Sequence, residues 1–94
     1  MFDYLTKFKQ LPQELQKIVS SPEALGAIKD LEKKYDIDLA ALVIKVMVKE
    51  VPWPGLADFL VAEHHLERRQ AQALQQELAR RVFAQVSRYL GIEN

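Results

Sequence analysis

The chain has 94 residues, the size of one small domain, and its 49% hydrophobic and 28% charged residues are typical of a folded globular protein. Thirteen basic side chains balance thirteen acidic ones, which argues against nucleic-acid binding driven by an overall positive charge. The absence of cysteine excludes disulfides, thiolate zinc sites and a cysteine nucleophile. We therefore expect one folded domain over residues 1–94.

The chain carries no sign of membrane insertion. Its first fifteen residues lack the basic and apolar regions of a signal peptide. The longest apolar stretch, 39–48, is interrupted by Lys45 and has about half the length that crosses a bilayer. We expect a soluble, cytoplasmic protein.

Two short helices are predicted at the start of the chain. The segment 2–9 carries an apolar residue every third position, which indicates a short amphipathic helix. Pro12 stands where a second helix, about 12–19, would begin, because proline lacks the N–H that a first helical turn leaves unpaired.

The sequence SSPEALGAIKDLEKKY contains the clearest helix start. Either Ser20 pairs with Glu23 as a capping box, or Ser21 caps the helix with Pro22 in its first position. The helical spacing of the apolar residues that follow predicts that Leu25 faces the core.

Residues 39–50 allow two interpretations. Their run of β-branched residues would suit a strand. The chain has no second strand-like run to pair with it, however, so we predict a buried central helix.

The sequence VPWPG separates this helix from two more. Pro54 would open a helix over about 54–64. The apolar residues of 67–90 recur every three or four positions, which predicts one long helix that Gly91 ends as a left-handed cap. The predicted fold is therefore all-α, a compact orthogonal bundle of five or six helices with a long C-terminal helix.

Both histidines of the chain lie in AEHHLERRQ, a stretch that suggests a metal site. His64 and His65 would point about 100° apart on a helix, and the H-E-x-x-H spacing of zinc-binding helices is absent. We therefore expect no metal site. The stretch is better interpreted as a junction between helices, with Leu66 anchored in the core and Glu67 beginning the next helix.

All five arginines follow residue 50, and four of them are candidates for contact with nucleic acid: Arg69, Arg80, Arg81 and Arg88. On a helical wheel Arg69 and Arg80 lie opposite the apolar stripe, with the other two on the adjoining flank. Arg81 can pair with Glu77 one turn away, and no aromatic residues interleave with this face. The preferred interpretation is a solvated surface, and weak nucleic-acid binding is the alternative function.

Four aromatic residues are candidates for contact with a protein partner: Trp53, Phe2, Tyr4 and Phe8. Tryptophan is frequent at binding hot spots, but Trp53 between two prolines can also fold back as a lid on the core, and we prefer that interpretation. The N-terminal aromatics either close the core of their own domain or dock against a second copy.

No catalytic constellation emerges from the sequence. A Gly-rich phosphate loop is absent, and none of the three serines lies near a histidine. We expect no enzyme activity and no cofactor. The predicted function is a protein–protein interaction or structural module, which binds a protein partner or a second copy of itself.

Four motifs follow one another over residues 11–90: LPQELQ, a serine-started helix with glutamate, a lysine-rich helix end before a short turn, and LARRVFAQVSRYL. In this order they resemble a small all-helical family of uncharacterised domains predicted in uncultivated bacteria. Glu67 matches the acidic position at the start of that family's last helix. The resemblance implies an all-α fold and no assigned activity.

Overall fold

The computed structural model describes residues 3–92, and the described chain is helical with no strand. It forms seven α-helices: α1 (Asp3–Lys9), α2 (Gln13–Val19), α3 (Pro22–Tyr35), α4 (Ala40–Met47), α5 (Leu56–His64), α6 (Arg68–Arg81) and α7 (Ser87–Leu90). Short 3-10 turns occupy Trp53–Gly55 and Ala84–Val86. The all-α prediction is confirmed, whereas five or six helices were too few.

The helices enclose one hydrophobic core. The radius of gyration is 12.4 Å, close to the value of about 12 Å expected for a compact domain of this length. Four residues of α4 are buried, from Leu42 to Met47, while α1 packs against α4 and α5 packs along α6. The central helix predicted for 39–50 is therefore confirmed, over the shorter range of α4.

Side chains accept hydrogen bonds from the backbone at the starts of α3 and α4. The Ser21 hydroxyl accepts a hydrogen bond from the Ala24 N–H at 3.2 Å, so Ser21 rather than Ser20 is the cap. At the start of α4, the Glu32 carboxylate accepts from the Leu39 N–H at 2.8 Å. These bonds fix where each helix begins, because the first turn of a helix leaves its N–H groups without partners.

The junction predicted between His64 and Glu67 is confirmed. His64 is the last residue of α5, and His65 ends the helix in the left-handed conformation with φ of 59°. Leu66 packs half-buried against the core. The Glu67 N–H donates to the side-chain oxygen of Gln70 at 3.2 Å, which closes the first turn of α6.

The long C-terminal helix was predicted wrongly, because α6 ends at Arg81. The adjacent residues Val82 and Phe83 are both buried, yet neighbours on a continuous helix point about 100° apart. Both of their N–H groups bond to the Leu78 carbonyl, at 3.0 and 2.8 Å, so the chain turns at this point. The turn brings Phe83 into the core, and Gly91 ends α7 in the predicted left-handed conformation.

No helix of residues 3–92 is long and apolar enough to span a membrane.

Candidate binding surfaces

Trp53 lies half-buried above the core, within the 3-10 turn that precedes α5. Its ring meets the ring of the fully buried Phe83 edge-to-face, with centroids 5.5 Å apart and planes at 83°. The Trp53 carbonyl accepts a hydrogen bond from the Gln75 side chain of α6 at 2.8 Å. Prolines on both sides restrict the backbone further, so the indole is held in one place.

A cavity of about 380 Å³ opens beside this ring. We call it the Trp53 cavity, and it is lined by Trp53, Gln72, Gln75, Gln76, Ala79 and Ile92. None of these six side chains is ionisable, while three of them end in an amide. The cavity thus offers one aromatic surface and several groups that both donate and accept hydrogen bonds.

The N-terminal aromatics are placed differently from one another. Phe8 is half-buried and packs against the core. Tyr4 is half-buried as well, and the Lys45 ammonium lies 5.2 Å from its ring centroid. Phe2 lies outside the described residues. Contact of these side chains, or of Trp53, with a partner stays a prediction.

A smaller cavity opens beside Phe8, with a volume of about 150 Å³. We call it the apolar groove, and it is lined by Phe8, Val19, Ser20, Leu25, Ile28, Ala40, Val43 and Ile44. Leu25 is 47% exposed, so the prediction that it faces the core was wrong. Leu5 is 38% exposed, and these two are the exposed large hydrophobic residues of the described chain.

Helical periodicity alone does not distinguish the apolar groove from the core. The spacing of apolar residues in α3 places Leu25 beside the inward-facing Ala24 and Ile28 on a wheel. Whether the outer part of that stripe is covered depends on how far α1 and α4 extend over α3. The signal in the sequence is an apolar stripe on α3 wider than the core can cover.

The histidines do not converge on a common site. The His64 ring packs edge-to-face on Phe59, with centroids 5.9 Å apart, and His65 is exposed. Within residues 3–92, no group of three or more histidine, aspartate or glutamate side chains is arranged to hold a metal ion.

The four candidate arginines do not share one helix face. Arg69 and Arg80 are exposed on α6, and Arg81 pairs with Asp30 of α3 at 3.1 Å. Arg88 belongs to α7, beyond the turn, so the wheel that placed it beside Arg81 does not apply. Contact of these arginines with nucleic acid stays a prediction.

The prediction that Arg81 pairs with Glu77 was also wrong, because Glu77 bonds to α3 instead. Its carboxylate accepts hydrogen bonds from the Lys34 ammonium and from the Tyr35 hydroxyl, both at 3.0 Å. The bond from Lys34 lowers the pKa of Glu77 and raises the pKa of Lys34. Burial raises the pKa of Tyr35, and the bond to Glu77 adds to that shift.

Comparison of the chain with protein-family models, with curated proteins and with solved structures gave no match. The resemblance to an all-helical bacterial family therefore stays a prediction, and the two cavities carry the functional argument.

Proposed function

We propose that this domain is a non-enzymatic interaction module that pairs with a second copy of itself through the apolar groove. The observation that carries the proposal is the exposed Leu25 at the edge of a groove with an almost wholly apolar lining. Large apolar side chains left in water next to an apolar hollow favour association, because contact removes both surfaces from water.

A second copy fits this surface because the exposed Leu25 and the apolar groove lie side by side on one face. A two-fold rotation axis through that face would place the Leu25 of each copy over the groove of the other, so one patch serves both partners. Leu5 stands one helical turn before Phe8, a residue of the groove lining, and would extend the contact along α1.

The size of the surface argues for a weak dimer. A stable interface buries about 800 Å² per partner, which is roughly an eighth of the 6256 Å² accessible surface of this domain. The exposed apolar part of this surface consists of two leucines, 47% and 38% exposed, beside a groove of about 150 Å³, which is a small patch for an interface. We therefore expect pairing that depends on protein concentration.

Sedimentation equilibrium over a wide range of protein concentration tests the proposal. The mass should rise from 10.8 kDa toward twice that value, and Leu25→Glu should return the monomer. Glutamate near the start of α3 suits the helix dipole, so this variant is expected to fold, which circular dichroism checks. Ala62→Glu adds the same charge at an exposed position of α5 and should leave the association unchanged.

Two results would overturn self-association. One is a monomer at every concentration up to the millimolar range. The other is a dimer that survives Leu25→Glu, because the contact would then lie elsewhere.

A further inference from the structure

The Trp53 cavity has the properties of a binding site that is separate from the apolar groove. Its lining combines a held indole with three glutamine side chains, and the pairing of two copies through the apolar groove makes no use of it. We propose that the Trp53 cavity binds an extended, uncharged segment of a peptide chain.

The first argument is the charge of the lining. The six lining residues in the described part of the chain carry no ionisable group, so they offer a charged ligand no counter-charge in return for the water it would lose. A primary amide both donates and accepts hydrogen bonds, and so does a peptide group. Glutamine side chains therefore complement the backbone of a bound chain whatever its sequence.

The second argument is the spacing along α6. Gln72 and Gln76 stand one turn apart, which is about 6 Å along a helix with a rise of 1.5 Å per residue. Two residues of an extended chain span about 6.6 Å. The two exposed amides thus match alternate peptide groups of a single extended segment that runs along the helix.

Gln75 has a different role from its two neighbours. Its side-chain nitrogen donates to the Trp53 carbonyl at 2.8 Å, which ties α6 to the 3-10 turn. It is therefore a positioning residue that keeps the indole at the cavity wall.

The third argument is the rigidity of the aromatic wall. Trp53 is held by Phe83 on one side and by proline restriction of its backbone, so little conformational freedom is lost when a ligand packs on it. Apolar side chains and proline rings bind against such aromatic surfaces in peptide-recognition grooves. The indole thus supplies a contact for one side chain while the amides bind the backbone.

Titration of the full chain with capped, uncharged hexapeptides tests this proposal. We choose peptides in which glutamine alternates with proline or with valine. Because Trp53 is the only tryptophan, its emission and its single indole N–H resonance both report on this cavity. We expect a saturable change in both signals, with an affinity nearly constant between about 50 and 500 mM salt, since no ion pair is formed.

Variants of the lining separate a specific site from loose adsorption. Gln72→Ala and Gln76→Ala should each weaken binding about three- to tenfold, the loss expected for one hydrogen bond. Gln13→Ala removes a glutamine that is also exposed, on α2 and outside the cavity, and should leave peptide binding unchanged. Leu25→Glu should also leave peptide binding intact, which distinguishes this site from self-association.

The proposal fails if neither signal changes up to millimolar peptide, or if both alanine variants bind as tightly as the original chain. It also fails if an uncharged glucose oligomer saturates the cavity and the peptides do not, because the indole and amides would then serve a sugar.

Discussion

Two contacts in the C-terminal part of the chain differ in kind: a polar contact between α6 and α3, and the apolar contact of Phe83, in the segment that follows α6, with the core. Besides burying the apolar Leu74 and Leu78, α6 makes a polar contact with α3, in which the Glu77 carboxylate bonds to Lys34 near the surface. The segment 82–92 instead buries Phe83 completely. The polar contact exchanges bonds with water for bonds within the protein, so its net contribution is small and depends on pH. The apolar contact removes a large surface from water at any pH, and should dominate stability.

The largest expected effect follows from removal of the apolar contact. Phe83→Ala should lower the free energy of unfolding by about 3–5 kcal/mol, because it leaves a cavity beneath Trp53. Urea denaturation followed by circular dichroism measures this loss. Phe59→Ala is the matched control, since Phe59 is only half-buried and its loss should cost clearly less.

A loss from Phe83→Ala no greater than that from Phe59→Ala would contradict the importance given to the turn after Arg81. If the alanine variant does not fold, Phe83→Leu keeps most of the volume, and should be destabilised measurably while remaining folded.

A smaller effect is expected for the hydrogen bond that anchors α7. The Tyr89 hydroxyl donates to the Met47 carbonyl at 2.7 Å, at the end of α4. Tyr89→Phe keeps the ring but removes this donor, and should lower the free energy of unfolding by about 1 kcal/mol at neutral pH. The same denaturation measurement checks it. An unchanged stability would show that water replaces the bond without cost.

The smallest effect at neutral pH is expected for the polar contact of Glu77 with Lys34, whose contribution should be visible as a dependence of stability on pH. Glu77→Gln should cost about 1 kcal/mol or less at pH 7. The pKa of Glu77 is lowered in the folded chain, so its contribution is present above the ordinary value of 4.5 and is lost as pH falls through the folded pKa. Denaturation at several acidic pH values should therefore show a shallower loss of stability for Glu77→Gln than for the original chain.

At alkaline pH, the contribution of the same contact to stability should fall as pH rises, whereas at acidic pH it falls as pH decreases. The pKa values of Lys34 and Tyr35 are raised above the ordinary 10.5 and 10.0, so their contribution to stability is complete below those values and is lost as pH rises through the higher pKa values of the folded chain. Glu77→Gln should flatten this limb as well. Asp58→Asn, which removes an exposed carboxylate paired with Arg68, should leave both limbs nearly unchanged and serves as the control.

Much of the fold was predictable because it depends on interactions between near neighbours in the chain. Ser21 caps the helix that begins at the next residue, and Gly91 ends the last one. α4 was predictable for another reason, because a single strand-like run has no partner that could satisfy its backbone. The junction at His65 was predictable because the adjacent His64 and His65 would point about 100° apart on a helix and could not share a metal ion, which left a helix end as the interpretation.

The candidate surfaces were less predictable. Trp53 stood out in the sequence, but the glutamines beside it looked like an ordinary polar helix face until the turn before α5 lay against them. Leu25 looked like a core residue, since its exposure is decided by how far neighbouring helices cover α3.

The sequence by itself determined the helical class, most helix starts and ends, and the burial of α4. These depend on capping, periodicity and backbone bonding within a few residues, which leave local patterns. Only the tertiary structure decided that the last helix turns after Arg81, that Glu77 bonds to Lys34, 43 residues away in the sequence, and that Trp53 borders a cavity. These three features depend on which surfaces meet when the helices pack. Packing can override a local pattern, as it does for the i, i+4 spacing of Glu77 and Arg81, because Glu77 bonds to Lys34 instead.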